Sequence, residues 1–336
     1  MNFLLTSIGR RTYMVKYFQR ALDNIGEVHV ANSCPTLATE LSRHRVITPE
    51  IYDETYIETL LVYSKNNNIS FVISLFDVDL LVLARNKDRF TSIGVEVILA
   101  NQEKVEICND KWKTHQFLQS TGLESPATFL QLDHVFDAIH SKRIRYPLII
   151  KPRWGMGSIG IFYAHNEVEL RALYSLSKKV CFSTFLRFES ELTSDNPVII
   201  QEVLKGEEYG LDVVNDLKGG FQACIAKQKV SMRAGETDVG LIVDPKMFES
   251  IAKLLSTGIA HQGVLSVDCF VTEKGIVITE LNCRFSGHYP ISHEAGADIP
   301  LFLVHQALGE QSSASLFQSK IGTYVAKDLV PTVFQG

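Results

Sequence analysis

Two carboxylates and one amide stand close together on a predicted β-hairpin in the last third of the chain. Glu280 and Asn282 end the apolar run that follows the turn at Gly275, and Asp268 lies on the strand before that turn. With the turn centred on Lys274, Asp268 lies directly opposite Glu280, and the three polar side chains share one face. A turn centred half a residue earlier places Asp268 on the other face, so two registers stay open.

Carboxylates this close together need a cation, because two like charges cannot both stay ionised at short range. Carboxylate and amide oxygens are hard ligands, and Mg²⁺ in proteins is usually held by one or two carboxylates together with substrate phosphates. The hairpin therefore indicates a magnesium site, which Mn²⁺ could also occupy. The alternative is a structural ion pair of these carboxylates with Arg284 or with a nearby lysine.

A glycine-rich loop follows a lysine at the end of another predicted strand. The stretch IIKPRWGMGSIGIFYA places Lys151 shortly before Gly155, Gly157 and Gly160. Glycines let backbone N–H groups approach phosphate oxygens closely, and a lysine supplies the positive charge that phosphate attracts. No helix follows the loop, so it is neither a P-loop nor a dinucleotide-binding fingerprint. A flexible hairpin tip is the other interpretation of these glycines.

Several further charged residues have both a functional and a structural interpretation. Lys111 lies early in a predicted helix, and Glu202 and Glu208 flank the turn in VIIQEVLKGEEYGLDVV. Taken alone, such residues are typical of a solvated surface. Ligands of parallel sheets bind past the carboxyl ends of the strands. The charged residues at those ends are therefore either surface charges or candidates to bind a substrate carboxylate or amine: Arg10, Arg11, Asp77 and Asp79.

Strands and helices alternate through the first hundred residues, which predicts a parallel sheet covered on both faces. The predicted strands are 2–7, 28–31, 69–75 and 95–100, and the predicted helices are 12–24 and 57–65. A helix over 103–120 follows. A compact unit comes next, with strands at 147–151, 161–164 and 198–203 and a helix at 166–178. From Glu208 onward the pattern becomes antiparallel strands with helices.

Composition argues against several classes of function. The net charge of −5 disfavours a general nucleic-acid or membrane binder, because both of those surfaces are anionic. No apolar run is long enough to span a bilayer, and MNFLLTSIGRR lacks the features of a signal peptide. The six cysteines are scattered and form no C-x-x-C pair, so we expect reduced core residues in a cytoplasmic protein.

The ordered set of motifs resembles the ATP-grasp superfamily over roughly residues 1–310. The set comprises Lys111, Lys151 with its glycine loop, Glu202, Glu208, Asp268 and the E-x-N-x-R stretch at 280–284. Three further segments are similar to the carbamoyl-phosphate synthetase large subunit and its short stand-alone relatives: TSIGRR, SLFDVDLLVLA and KQKVSMRAGETDVG. Those relatives often have E-x-N-P-R, where this chain has Cys283. That side chain should point away from the metal, so the departure bears little on the site.

The resemblance implies an α/β protein with the ATP-grasp fold. A parallel-sheet, Rossmann-like pre-ATP-grasp domain would span 1–105, and a linker helix with a small α+β lid subdomain would span 106–205. A C-terminal α+β subdomain with an antiparallel sheet and the metal site would span 206–312. Residues 313–336 form a tail without an assigned structure.

The resemblance also implies roles for the matching residues in nucleotide binding. Lys111 and Lys151 would contact the phosphates. A lid made of loop 153–159 would close over them, with contacts from Arg153, Gly155, Gly157 and Ser158. The adenine hinge and the ribose contact would come from Glu202, Val203, Leu204 and Glu208.

The remaining implied roles concern metal binding and catalysis. One or two Mg²⁺ ions would be held by Asp268, Glu280 and Asn282. The transferred phosphoryl group would be neutralised by Lys151, Arg233 and Arg284. His288 lies just beyond Arg284 and is a candidate to contact the acceptor amine, although an isolated histidine is more often structural.

Enzymes of this superfamily activate a carboxylate as an acyl phosphate, release ADP, and let an amine displace the phosphate. The resemblance therefore implies an ATP- and Mg²⁺-dependent carboxylate–amine ligase that acts on an amino acid or another small metabolite. Neither nucleic acid nor membrane is expected as a partner, and a homodimer is a further expectation. Two alternatives stay open. One is phosphorylation of a bicarbonate-derived carbamate, and the other is a nucleotide-binding protein without turnover.

Overall fold

The N-terminal part of the chain is built around a five-stranded parallel sheet. The computed structural model describes residues 1–329 and 331–333. The strands are β1 (Asn2–Thr6), β2 (Val28–Asn32), β3 (His44–Ile47), β4 (Ile69–Ser74) and β5 (Glu96–Val97), in the spatial order β3-β2-β1-β4-β5. The connecting helices are α1 (Thr12–Leu22), α2 (Leu37–Glu40), α3 (Tyr56–Asn66), α4 (Asp77–Arg85) and α5 (Lys87–Thr91). Strands β1 and β2 are almost entirely buried, as expected when helices cover a parallel sheet.

The single helix predicted over 103–120 is wrong, because the structure has two helices there. They are α6 (Gln102–Asn109) and α7 (Lys111–Ser120). Asp110 lies between them in an extended conformation and caps α7, since its carboxylate accepts from the backbone N–H groups of Trp112 and Lys113. Aspartate is among the preferred N-cap residues. The break makes Lys111 the first residue of α7.

A second unit has its own antiparallel sheet. Its strands are β6 (Thr128–Phe129), β7 (Leu148–Pro152), β8 (Phe162–Ala164) and β9 (Val198–Glu202), in the order β6-β9-β7-β8. Its helices are α8 (Leu132–His140), α9 (Glu167–Ser183) and α10 (Arg187–Glu191). Asn166 caps α9 by accepting from the Glu169 backbone N–H group.

A six-stranded antiparallel sheet forms the C-terminal part. Its order is β14-β13-β10-β11-β12-β15. The strands are β10 (Glu207–Asn215), β11 (Phe221–Arg233), β12 (Glu236–Val243), β13 (Gly263–Thr272), β14 (Gly275–Asn282) and β15 (Tyr324–Ala326). The helices are α11 (Glu249–Ile259), α12 (Tyr289–Glu294) and α13 (Ile299–Ala307), with 3-10 turns at Pro245–Phe248 and Ala314–Phe317. Strand β15 belongs to the tail left unassigned from sequence, and residues 330 and 334–336 of that tail lie outside the described residues.

The N-terminal and C-terminal sheets share an apolar core, whereas the second unit has a separate one. One core contains residues of both the N-terminal and the C-terminal sheet, including Leu4, Leu211 and Leu265. The second unit packs around a core of its own, with Leu148 and Leu170. The predicted α/β fold with a parallel sheet followed by antiparallel sheets is confirmed. Among the described residues, no helix is both long and apolar enough to cross a bilayer.

Candidate active site

The β13–β14 hairpin carries the three predicted metal ligands on one face: Asp268, Glu280 and Asn282. Near the turn, Cys269 pairs with Ile278, which centres the turn half a residue earlier than the favoured prediction. A bulge at Thr279 then restores the register, so Asp268 lies opposite Glu280. The Thr279 hydroxyl donates to the Asp268 carbonyl at 3.0 Å and fixes the bulge. Asp268 and Glu280 therefore lie opposite each other as predicted, although the turn itself is centred half a residue earlier than Lys274.

Each hairpin carboxylate faces a lysine. Lys229 Nζ, on β11, lies 2.9 Å from Asp268 Oδ1 and 2.7 Å from Glu208 Oε1. Lys111 Nζ lies 3.2 Å from Glu280 Oε1. Burial disfavours the charges on Asp268 and Lys229, but their attraction outweighs it. The pKa of Asp268 is therefore lowered and the pKa of Lys229 is raised.

Asp110 ties α7 to the glycine loop. Its fully buried carboxylate binds the Arg153 guanidinium through two hydrogen bonds, of 2.7 and 2.6 Å. Lys111 Nζ donates to the Gly155 carbonyl at 2.5 Å. Arg153, predicted to contact the nucleotide, is thus held by a buried carboxylate in this structure. Asp110 was not among the predicted site residues.

Lys151 is the second-last residue of β7, with a buried side chain and no carboxylate partner. It is 8% exposed, and it forms no ion pair with any residue in 1–329 or 331–333. Burial, followed by repulsion from Lys111, lowers the pKa of Lys151 to about 8. Two buried ammonium groups that repel each other, with one of them unpaired, fit an anionic group such as phosphate between them.

The glycine loop contains backbone conformations that favour glycine. Gly157 and Ser158 are left-handed, with φ of 59° and 61°. Gly160 also has positive φ, and a Cβ there would lie 2.9 Å from the Pro152 ring. The loop rests against the tip of the β11–β12 hairpin, where a Cβ on Gly235 would lie 2.5 Å from Ser158 Oγ. The tip of the β11–β12 hairpin is therefore close enough to contact a ligand that the glycine loop covers.

Arg233 lies at that same hairpin. Its guanidinium lies 2.5 Å from Asp238 and donates to the Lys327 carbonyl at 3.1 Å. Its side chain is 46% exposed. The structure does not bring Arg233 to the carboxylates of the β13–β14 hairpin.

The segment Glu202–Leu204 joins β9 of the second unit to β10 of the C-terminal sheet. Glu202 Oε1 accepts from the Ala127 backbone N–H group at 2.9 Å, and the Glu202 N–H group donates to the Ala127 carbonyl. Val203 and Leu204 are half-buried with the Glu202 side chain. This short connection links two different sheets, which is the position expected of a hinge.

Arg284 reaches from the C-terminal sheet to the N-terminal unit. Its guanidinium lies 2.5 Å from Asp77 at the start of α4. Burial lowers the pKa of Arg284, but the Asp77 carboxylate outweighs burial and raises it above its ordinary value. Asp77 also lines a small cavity with Lys111, Glu280 and Asn282. Carboxylates, an amide and cations around one space suit a polyanion accompanied by a divalent cation.

His288 lies against the β13–β14 hairpin and is only 4% exposed. Its Nε2 lies 3.0 Å from Ser266 Oγ and 3.4 Å from Asp268 Oδ1. Burial, followed by the nearby Lys227 charge, lowers the pKa of His288 to about 4, so the ring is neutral at pH 7. A Cβ on Gly210 would lie 2.9 Å from this ring. His288 therefore supports Asp268, and the structure does not bring it to an open substrate cleft.

A cleft of about 980 Å³ opens between the carboxyl ends of the parallel strands and residues 182–188. Of the four charged residues predicted at the strand ends, Arg11 lines the cleft, Arg10 is exposed but does not line it, and Asp77 is already paired. Asp79 has no exposed surface and cannot touch a substrate directly. Its carboxylate accepts hydrogen bonds from four hydroxyl groups: Thr6, Ser7, Tyr56 and Ser74.

Glu189, on α10, is a buried carboxyl group that lines the small cavity. Burial raises the pKa of Glu189 from 4.5 to about 7. The folded state therefore holds a proton that the unfolded state releases, and stability falls as pH rises between these values. Between pH 5 and pH 8, this carboxyl group should lower the free energy of unfolding of the original chain by at most about 3 kcal/mol. We expect Glu189→Gln to abolish that decrease.

Urea unfolding without nucleotide at both pH values measures this effect. Glu191→Gln, an exposed position on the same helix, is the matched control and should keep the pH dependence of the original chain. Parallel pH dependence in the original chain and in Glu189→Gln would contradict the prediction.

Comparison with known families identifies the chain. A profile described as "PylC-like, N-terminal domain" matches residues 3–98. A profile described as "ATP-grasp domain" matches residues 108–288, which is more than half of the chain. The chain belongs to the ATP-grasp family. The predicted resemblance to the ATP-grasp superfamily is confirmed, and carbamoyl phosphate synthase large chains are among the similar proteins.

The carbamoyl phosphate synthase arginine-specific large chain of Bacillus subtilis is one such relative. It is 18% identical to this ATP-grasp protein over 256 residues, which cover 72% of this chain and 23% of the relative. A biotin carboxylase of Halalkalibacterium halodurans is 26% identical over 227 residues, or 65% of this chain and 49% of the relative. The chain spans less than half the length of the curated relatives it matches.

Solved structures share the fold of this ATP-grasp protein. The biotin carboxylase domain dimer of Hydrogenobacter thermophilus 2-oxoglutarate carboxylase, in complex with MgADP, ADP and bicarbonate, has a TM-score of 0.72. Its identity is 17%, and the match covers 96% of this chain and 73% of that one. L-amino acid ligase from Bacillus licheniformis has a TM-score of 0.69 and 16% identity, with 95% and 77% covered.

Proposed function

We propose that this ATP-grasp protein is an ATP- and Mg²⁺-dependent carboxylate–amine ligase that forms ADP and orthophosphate. One observation carries the proposal. Two buried lysines lie beside the β13–β14 hairpin: Lys111 Nζ is 3.2 Å from Glu280 Oε1, and the charges of Lys111, Glu280 and Asp268 all act on the pKa of Lys151. This arrangement offers cations for phosphate oxygens and hard oxygen ligands for a divalent metal.

The nucleotide would lie between the second unit and the C-terminal sheet. Lys111 and Lys151 would contact the phosphates, and the glycine loop would donate backbone N–H groups to them. The hinge at Glu202–Leu204 would bind adenine. Glu208 would bind the ribose hydroxyls, which requires it to share its carboxylate with Lys229. Closure of the loop would exclude water from the phosphates.

Asp268, Glu280 and Asn282 would hold one or two magnesium ions, and Mn²⁺ has ligand preferences close enough to replace them. When bound, the ion neutralises phosphate charge during transfer. The three oxygen-bearing side chains fit this role because they share one face of the hairpin, and Glu280 and Asn282 line the small cavity. His288 keeps Asp268 in place through its 3.4 Å contact.

Charge neutralisation in the reaction would come from Lys151, Arg284 and Arg233. Phosphoryl transfer depends mainly on positioning and on positive charge around the transferred group. Arg284 Nε is buried and has no hydrogen-bond partner in the part of the chain that the structure describes. It is therefore available to an incoming oxygen. Arg233 would need to exchange Asp238 for the phosphoryl group.

The 980 Å³ cleft would take the carboxylate or the amine substrate. It is lined by aromatic rings, with Tyr52 stacked on Phe188 at 3.9 Å between ring centroids. Charged groups stand among them, namely Arg11, Glu50 and Asp53. Such a lining fits an amino acid or amine metabolite with a bulky apolar part. The volume favours this class over bicarbonate, which is not much larger than a water molecule of about 30 Å³.

A product screen tests the proposal. The chain, with ATP and Mg²⁺, is mixed with panels of carboxylates and amines, and nucleotide products are separated by chromatography. We expect ADP and orthophosphate, released only when a carboxylate is present and faster when an amine is added. Hydroxylamine should trap the activated carboxylate as a hydroxamate when the amine is omitted. AMP and pyrophosphate as products would overturn the mechanism.

Two outcomes would favour the alternative functions. ADP release that requires only bicarbonate would indicate phosphorylation of bicarbonate, and release that requires bicarbonate together with ammonia would indicate phosphorylation of the carbamate. Tight nucleotide binding with no product from any panel would favour a binding protein. The homodimer stays a prediction, which light scattering during size-exclusion chromatography tests.

A further inference from the structure

A second cluster of potential metal ligands lies in the N-terminal unit: Glu27, His29 and His44. Their ligand atoms all lie within 4.8 Å of one another. His29 on β2 pairs with His44 on β3 in the parallel register, so both rings project from the same face. Glu27 precedes His29 by two residues and shares that face. The cluster lies where β2 and β3 begin, whereas Asn32 and Thr48 at the opposite ends line the substrate cleft.

His29 has an unsatisfied ring nitrogen. The residue is 2% exposed, and its Nδ1 is hydrogen-bonded to the Tyr63 hydroxyl at 2.9 Å. Its Nε2 is buried and has no hydrogen-bond partner among residues 1–329 and 331–333. The rings of His29 and His44 stack with centroids 4.5 Å apart, and His44 Nε2 lies against the Glu27 carboxylate. An unpaired buried polar atom destabilises the folded state unless a ligand satisfies it.

The alternative interpretation, a cluster of surface ion pairs without a metal, explains fewer of these observations. Glu27 also lies 3.3 Å from Arg43, but the Arg43 side chain is 81% exposed, and such pairs contribute little to stability. That arrangement also leaves His29 Nε2 without a partner.

We propose that Glu27, His29 and His44 form a binding site for one divalent transition-metal ion of the zinc class. Two imidazoles and one carboxylate are a ligand set that zinc accepts, whereas Mg²⁺ prefers oxygen ligands. The Tyr63 hydroxyl holds the His29 ring in position through its other nitrogen, as outer groups do in zinc sites. Glu27 and His44 are 43% and 29% exposed, which leaves room for water as a further ligand.

The bound ion would join an edge strand to its neighbour. Strand β3 is only four residues long and lies at the end of the sheet, so backbone hydrogen bonds hold it on one side only. His44 belongs to β3 and His29 belongs to β2, and Glu27 is the residue just before β2. An ion bound by all three would hold these strands in register. A ligand that binds only the folded state raises stability by mass action.

Zinc titration of the complete chain tests this site. Calorimetry with ZnCl₂ is done in excess MgCl₂ and without nucleotide, so that the proposed magnesium site contributes little. We expect one zinc ion per chain, a zinc-dependent rise in Tm, and cobalt absorption bands when CoCl₂ replaces zinc. His44→Ala, on the half-exposed edge strand, should weaken zinc binding by more than about 100-fold and abolish the rise in Tm.

Three variants make the result interpretable. His134→Ala removes an exposed histidine on α8 and should leave the zinc stoichiometry unchanged. Glu280→Gln alters the proposed magnesium site and should also keep this zinc ion, which separates the two sites. Should His44→Ala prove unfolded by circular dichroism, Glu27→Gln at the surface replaces it. The proposal would be overturned if the original chain bound no zinc in excess magnesium. It would also be overturned if the Glu27 or His44 variant bound zinc as tightly as the original chain.

Discussion

Glu280→Gln is expected to lower the rate of product formation by a factor on the order of 10²–10⁴ while leaving the fold intact. The substitution removes one negative charge from the proposed magnesium site but keeps the size of the side chain. Glu280 Oε1 lies 3.2 Å from Lys111 Nζ, so the same change also removes an ion pair. Lys111 is buried, so losing this ion pair should also lower stability, although the glutamine amide oxygen can still accept a hydrogen bond from Lys111.

The effect has a readout that does not depend on knowing the substrate. Calorimetry should show that Mg²⁺ strengthens ADP binding to the original chain and does so far less in Glu280→Gln. Glu273→Gln, exposed at the turn of the same hairpin, is the matched control and should behave like the original chain. Full activity of Glu280→Gln at limiting magnesium would contradict the metal assignment.

Lys151→Met is expected to weaken ATP binding on the order of 10- to 100-fold, because a hydrogen bond from a charged group to phosphate is lost. The pKa of about 8 adds a pH dependence. Phosphate binds the protonated lysine, so above pH 8 the free protein must take up a proton to bind. The affinity of the original chain should therefore fall by up to about tenfold per pH unit above pH 8.

Calorimetric titration with a non-hydrolysable ATP analogue between pH 7 and pH 9.5 measures both effects. Lys151→Met should lose this pH dependence along with its affinity. Lys179→Met, an exposed lysine on α9, should retain both. Unchanged analogue affinity in Lys151→Met, or a pH dependence shared by both variants, would remove Lys151 from the phosphate site.

The features predictable from sequence are those with a local signal. Alternation after Gly275 and the turn chemistry predicted the hairpin with Glu280 and Asn282 on one face. The bulge at Thr279 has no comparable signal, yet it decides whether Asp268 faces Glu280. A shift of one residue turns every later side chain to the other face, so local patterning alone leaves such a register open.

Other site residues depend on long-range contacts. Lys229 is one of several polar residues in AKQKVSMR, and its role arises only because two other strands bring Glu208 and Asp268 to it. Asp110 had a usable signal, since aspartate before a helix is a preferred cap. The apolar spacing on both sides nevertheless resembled one continuous helix. Asp79 follows a parallel strand as a ligand contact would, but hydroxyl groups from neighbouring elements enclose it.

The most direct measurement follows the carboxylate oxygen. A carboxylate substrate found in the product screen is labelled with ¹⁸O, incubated with the chain, ATP, Mg²⁺ and the amine, and the orthophosphate is analysed by ³¹P NMR. Transfer of the terminal phosphoryl group to the carboxylate places one labelled oxygen in each orthophosphate when the amine displaces it. We expect one ¹⁸O per phosphate released. Label found in AMP, or orthophosphate without label, would contradict activation of the carboxylate as an acyl phosphate.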